Sequence, residues 1–221
     1  MLFKLIFDWS EVWAVAIPLF IIIIKKRPSY NYLYPVLYYL IVAFCINITI
    51  DVSWKYKPFM PVFLKDNNFL YNVHSIVRLY FFIWFFRSIK LNLKKTFQNA
   101  VIYVSALCII INFIFFDSFS QISPIIFALE GFILLYYCVT FFLGILKKEE
   151  ANTHFDPSLV IVTGLIIFEA VSFPIFLFFD TLMKESENSV FKVWPIHNIF
   201  YIVFCLFIAR AFYGRLKYAN H

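Results

Sequence analysis

Residues Phe69 to Phe86, FLYNVHSIVRLYFFIWFF, form an apolar run that carries His74 and Arg78 one helical turn apart. The run is about as long as a helix must be to cross roughly 30 Å of hydrocarbon. An ionised Arg at the centre of such a span costs about 2.5–3.5 kcal/mol even on the gentler insertion scale, so it persists where another group answers it. Two other apolar runs supply that answer, in Glu130 and Glu169. The stretch therefore predicts a polytopic membrane protein with a buried polar centre.

Composition points the same way. Hydrophobic residues make up 63% of the 221 and charged ones 14%, against about 45–50% and 25% in ordinary soluble domains. With 31 Phe and 14 Tyr but 4 Gly, small-residue contacts between helices are little used and aromatic interdigitation must replace them. The net charge of +6 does not read as nucleic-acid binding, because the basic residues sit between apolar runs and not on a soluble face. Cys45, Cys108, Cys138 and Cys205 all fall within apolar runs, so free thiols are expected, with no disulfide framework and no CxxC metal signature. Acidic Asp8 and Glu11, and the lack of a small-residue cleavage site before Lys25, argue against a removable signal peptide.

Taken in order, the chain reads as one all-α domain of seven transmembrane helices, at about residues 9–24, 32–50, 69–86, 98–116, 122–146, 158–179 and 191–213. The longest connection, Asp51 to Asn68, mixes lysines with Trp54, Tyr56, Pro58, Phe59 and Pro61, which suits the headgroup layer or a lid. The five-residue link Asp117 to Gln121 makes the fourth and fifth spans an antiparallel pair. Asn47-Ile48-Thr49 matches a glycosylation sequon, but lies within a span and is read as accidental.

Basic residues in short loops stay on the cytoplasmic side. Twelve fall on one side of the spans: Lys25, Lys26 and Arg27; Arg87, Lys90, Lys94 and Lys95; Lys147 and Lys148; Arg210, Arg215 and Lys217. Six fall on the other, at Lys4, Lys55, Lys57, Lys65, Lys184 and Lys192. The expected orientation has the N-terminus out and the C-terminus in, across the plasma (cytoplasmic) membrane.

Counting inward from the outer ends, Arg78, Glu130 and Glu169 each lie about nine to eleven residues deep, close to midplane at 1.5 Å per residue. His74, His197, Asn198, Asn47 and Asn112 lie nearer the outer side. Tyr71, His74, Ser75 and Arg78 share one helical face, as do Trp194, His197, Asn198 and Tyr201, while Glu130 and Tyr137 stand two turns apart. One guanidinium against two carboxylates leaves a negative charge over, so the buried cluster is expected to hold one proton between the two acids.

The candidate ligand-binding or proton-sensing residues are thus Tyr71, His74, Arg78, Glu130, Glu169, His197, Asn198 and Tyr201. They fit a receptor-like or sensory subunit with an outward-facing pocket for a small molecule, a lipid or a proton. No output domain is visible, so the signal would pass to a separate protein at the basic cytoplasmic face. No cofactor, metal or nucleic acid is expected. One alternative is an intramembrane lipid-modifying enzyme using His74, His197, Glu130 and Glu169 as metal ligands or acid-base groups, although Tyr201 stands where an HxxxH pair would place its second His. Another is a structural or assembly subunit of a larger membrane complex, and a proton-coupled carrier is a weaker fourth reading.

Overall fold

The computed structural model describes residues 9–25, 30–91, 93–147, 156–179, 181–182 and 187–214, with 25, 62–63 and 187–192 described by backbone alone. Among the described residues the fold is helical, with no strand. Seven main helices follow one another: α1 Ser10–Lys25, α2 Tyr34–Lys55, α3 Asn68–Ser88, α4 Lys95–Phe115, α5 Pro124–Leu146, α6 Pro157–Leu177 and α7 Glu187–Tyr213. From α2 onward, six are long and apolar enough to cross a bilayer. Helix α1 is apolar but has 16 described residues, about 24 Å at 1.5 Å each, short of a full crossing. Several of the basic residues counted for orientation, namely Lys4, Lys26, Arg27, Lys148, Lys184, Arg215 and Lys217, lie outside the described residues, as does Asp8.

Local sequence sets the helix ends. Both α5 and α6 open on Pro, whose missing N–H is no loss in a first turn. Ser123 caps α5 by accepting from the Ile126 N–H, and Asp156 caps α6 by accepting from Ser158 N–H at 2.8 Å. One boundary corrects the sequence expectation: α2 runs on through Asp51 to Lys55, well past the predicted end at Ile50. Polar side chains at 51, 53 and 55 do not break a helix; Pro58 does, and a 3-10 turn at Lys57–Phe59 follows. The shortened connection is pinned at its far end by Asn67, whose Nδ2 donates to Ile50 O at 2.9 Å. Its aromatics point outward, with Trp54 71% and Phe59 85% exposed, and Lys57 Nζ sits 5.7 Å from the centre of the Trp54 ring. Such an amphipathic fringe suits the headgroup layer better than a lid.

Packing closes α1, α2, α3, α5, α6 and α7 into a ring in that order, α7 returning to α1. Helix α4 stands outside it, touching α3 and α5 lightly. Only 22% of its apolar stretch is buried, against 44% to 50% in the other five long helices, and Tyr103, Leu107, Ile110 and Ile114 form an exposed stripe along it. The fourth and fifth spans are consecutive, but α5 packs mainly on α6 and α3. At the α4–α5 turn, Asn72 of α3 donates to Phe119 O and Gln121 O and accepts from Ser123 N–H, and Asn112 donates to Ser123 Oγ at 2.9 Å.

Inside the ring the core is aromatic. Phe82, Phe168 and Phe204 are fully buried, with Phe168 stacked on Phe204 at 5.5 Å. Glycine is used where that packing leaves no room. A Cβ on Gly164 of α6 would lie 2.5 Å from Phe207 Cβ of α7 and 2.9 Å from its Cγ, and the Cβ moves only if the helix moves. Gly164→Ala should therefore lower the thermal midpoint in detergent by the equivalent of about 1–3 kcal/mol, despite alanine's better helix propensity. Gly144→Ala, with nothing within 4 Å of the added carbon, should not. Equal midpoints for the two variants would mean that α6 and α7 are further apart than described.

Candidate functional site

Three helices meet at the centre of the ring through charge. Arg78 of α3 presents its guanidinium edge-on to Glu130 of α5: Nε donates to Oε1 and Nη2 donates to Oε2 at 2.8 Å. This two-pronged geometry is what a planar guanidinium and a carboxylate form most strongly. Ser75, one turn before Arg78, donates its hydroxyl to the same Oε2 at 2.5 Å. From α6, Phe168 lays its ring face 4.7 Å from the guanidinium carbon, and the next residue, Glu169, brings Oε1 to 3.6 Å from Arg78 Nε. That distance is an ion pair and not a hydrogen bond. Glu169 Oε1 is buried and accepts no hydrogen bond from any described group. Arg78 is 3% exposed, Glu130 0% and Glu169 1%; neither acid can satisfy its charge with water.

The two carboxylates are accommodated by one glycine. Gly131 follows Glu130 on α5 and faces α6, where an added Cβ would meet Phe173 Cβ at 3.0 Å and Glu169 Oε2 at 3.2 Å. The Glu-Gly pair thus offers one acid and makes room for the other.

Above the cluster lies a cavity of about 10 Å³ lined by Glu11, Tyr71, His74, Arg78, Phe127, Trp194, His197 and Tyr201. It has room for about one water. His74 stacks flat on Tyr39 of α2, and Tyr39 Oη reaches His74 Nε2 at 3.4 Å and Tyr201 Oη at 3.3 Å. Across the cavity, His197 Nδ1 and Ser172 Oγ share a hydrogen bond of 3.0 Å, and the imidazole is walled by Phe168, Phe176 and Trp194. Tyr71 meets Trp194 edge to face at 5.7 Å.

Of the residues singled out from sequence, Arg78, Glu130 and Glu169 come into direct contact, and Tyr71, His74, His197 and Tyr201 share the cavity with Arg78. Asn198 is buried beside His197 in sequence but is not part of the cavity wall. Asn47 donates to the carbonyl of Glu11 and Asn112 serves the α4–α5 turn, so both act in packing. His74, His197, Glu130 and Glu169 do not converge as a metal-ligand set among the described residues. Sequence reasoning missed Glu11, which lies within the first predicted span but was weighed only against a signal peptide, and Tyr39, which is hidden among Tyr32, Tyr34 and Tyr38. The signal for Glu11 was its place one helical turn ahead of apolar Val15 and between Trp9 and Trp13, which makes it an acid inside an apolar helix.

These features define a multi-pass helical membrane protein built round a buried arginine that faces two glutamates. Comparison with protein-family models, with curated proteins and with solved structures finds no match for the chain.

Proposed function

We propose that the protein is a sensory or receptor-like subunit of the plasma membrane, in which the occupant of the cavity sets which glutamate Arg78 engages. One observation carries the reading: two buried carboxylates, on different helices, stand at unequal distances from a single guanidinium. When Glu130 is ionised and Glu169 holds the shared proton, Arg78 binds α3 to α5. If the proton moves to Glu130, the pair re-forms with Glu169 and binds α3 to α6. An effector shifts such an equilibrium only by binding the two states differently. A proton or a water-sized polar group at the cavity beside Arg78 meets that condition.

The cavity lies at the end where α1, α3, α5 and α7 begin. The opposite end carries exposed Lys90, Lys94, Lys95 and Lys147, which favours an inward basic face, the N-terminus out and an acidic partner protein as recipient of the signal. The cavity's small volume favours a second reading, in which the cluster only locks three helices together in a structural or assembly subunit.

Infrared difference spectra between acid and neutral pH, on protein in lipid vesicles, separate the two. A protonated carboxyl band that changes with pH and disappears in Glu169→Gln is expected, together with altered hydrogen exchange around residues 88–94 and 147 at the far end. A spectrum without such a band, or exchange at the far end that ignores pH, would leave the lock and remove the sensor.

A further inference from the structure

A second, larger cavity of about 360 Å³ lies outside the ring, between α3 and the detached α4, lined by Tyr80, Ile83, Trp84, Arg87, Ser88 and Ile102. The five α3 residues recur at helical three-four spacing, so they make one face about 12 Å long. That face is graded. At the end nearer the middle of the helices, Tyr80 Oη and Ser105 Oγ, 3.3 Å apart, tie α3 to α4. Ile83, Trp84 and Ile102 follow as apolar walls, with the Trp84 ring stacked on Tyr38 at 5.9 Å and 46% exposed. The end nearer the α3–α4 turn holds Arg87 and Ser88, and the Ser88 hydroxyl is already donated to Trp84 O at 2.9 Å. Arg87 is therefore the charged donor in the groove's lining, and among the described residues it has no ion-pair partner.

Charge around this end is one-sided. Between Asp66 and Asp117 the chain has no acidic residue, while Arg87, Lys90, Lys94 and Lys95 surround the α3–α4 turn. The Tyr80–Ser105 contact also fixes the antiparallel register, setting Arg87 level with Gln98 in the first turn of α4. That turn begins at Lys95 with no side-chain cap on its N–H groups, and a helix N-terminus attracts negative charge.

We propose that this groove is a binding site for one anionic phospholipid. Its phosphate sits on Arg87 beside the first turn of α4, and an acyl chain lies along Ile83, Trp84 and Ile102. A groove that opens sideways between two helices, basic at one end and apolar along its length, matches a lipid and not a soluble anion. The site also explains why α4 is held so lightly by protein: lipid fills the gap between it and α3.

The test uses the full chain in a mild detergent, titrated with equal amounts of dioleoyl phosphatidylglycerol and dioleoyl phosphatidylcholine and read by native mass spectrometry. The first lipid retained should be phosphatidylglycerol, by about fivefold, the worth of one basic side chain toward an anionic headgroup. Arg87→Gln should abolish the preference and Arg87→Lys should keep part of it. Ile102→Trp, which fills the groove and leaves every cation in place, should also abolish it. Three results would overturn the assignment: no preference in the parent protein, a preference that survives Arg87→Gln or Ile102→Trp, or displacement of the lipid by free glycerol phosphate at millimolar concentration.

Discussion

Arg78→Met should leave little folded protein in detergent at neutral pH, and the loss should shrink as the pH is lowered. Methionine fills much of the same space, so the effect is electrostatic. The substitution removes the cation from between Glu130 and Glu169, which are 0% and 1% exposed. Deleting one partner of a buried pair typically costs about 3–5 kcal/mol, because the charge left behind has neither partner nor water. A stability of about 5–15 kcal/mol leaves small reserve against such a loss. Acid relieves it, since carboxyls that have taken up protons need no counter-ion, and stability withheld at neutral pH returns as both become neutral. The triple variant Arg78→Met, Glu130→Gln, Glu169→Gln carries no charge at the site and should recover most of the folded yield at all pH values. Size-exclusion profiles and thermal midpoints across pH measure both effects. A single variant that folds like its parent would mean that the glutamates are neutralised by something other than Arg78.

That central contact was legible in the sequence because lipid leaves a charge so few options. Arg78, Glu130 and Glu169 sit in three separate apolar runs, and none can face hydrocarbon without penalty; meeting one another is the economical solution. Six of the seven runs were legible for the same reason, since a crossing needs length and apolarity and little else, whereas α1 is apolar but too short by that measure. What lay beyond reading was how the helices are arranged. In a soluble bundle the polar face of each helix tells which way is out, but here the outward faces are apolar too, as the exposed stripe of Tyr103, Leu107, Ile110 and Ile114 illustrates. Nothing in that pattern distinguishes a helix in the ring from one beside it, and so the detachment of α4 was invisible. Gly131 was equally silent: its neighbour Phe173 lies forty-two positions away in the chain, and only the fold shows that a side chain there would press on Glu169.

The two glutamates should respond unequally to the same isosteric change. Glu130→Gln removes a carboxylate that accepts from Arg78 Nε and Nη2 and from Ser75 Oγ. Hydrogen bonds to charged groups contribute about 1.5–3 kcal/mol each, and a neutral amide keeps only part of that, so a loss of about 2–4 kcal/mol is expected. Part is offset because Arg78 can turn to Glu169, already 3.6 Å away. Glu169→Gln gives up one long ion pair and no hydrogen bond at Oε1, while sparing the protein the desolvation of a second buried charge or the need to hold a proton. Its thermal midpoint should match or exceed that of the parent. Ser75→Ala gauges the smaller end of the scale, at about 1 kcal/mol. The order of stability should thus run Glu169→Gln, Ser75→Ala, Glu130→Gln, from most to least stable. The reverse order for the two glutamates would mean that Arg78 rests on α6 in the working protein and that α5 holds the reserve acid. A stable Glu169→Gln protein has a further use, because it keeps the ion pair between α3 and α5 while deleting the second resting place of the guanidinium on α6. If the glutamates serve packing alone, it should behave as the parent in every assay. If Arg78 exchanges between them, the same variant should be well folded and unresponsive, a combination that packing alone does not produce.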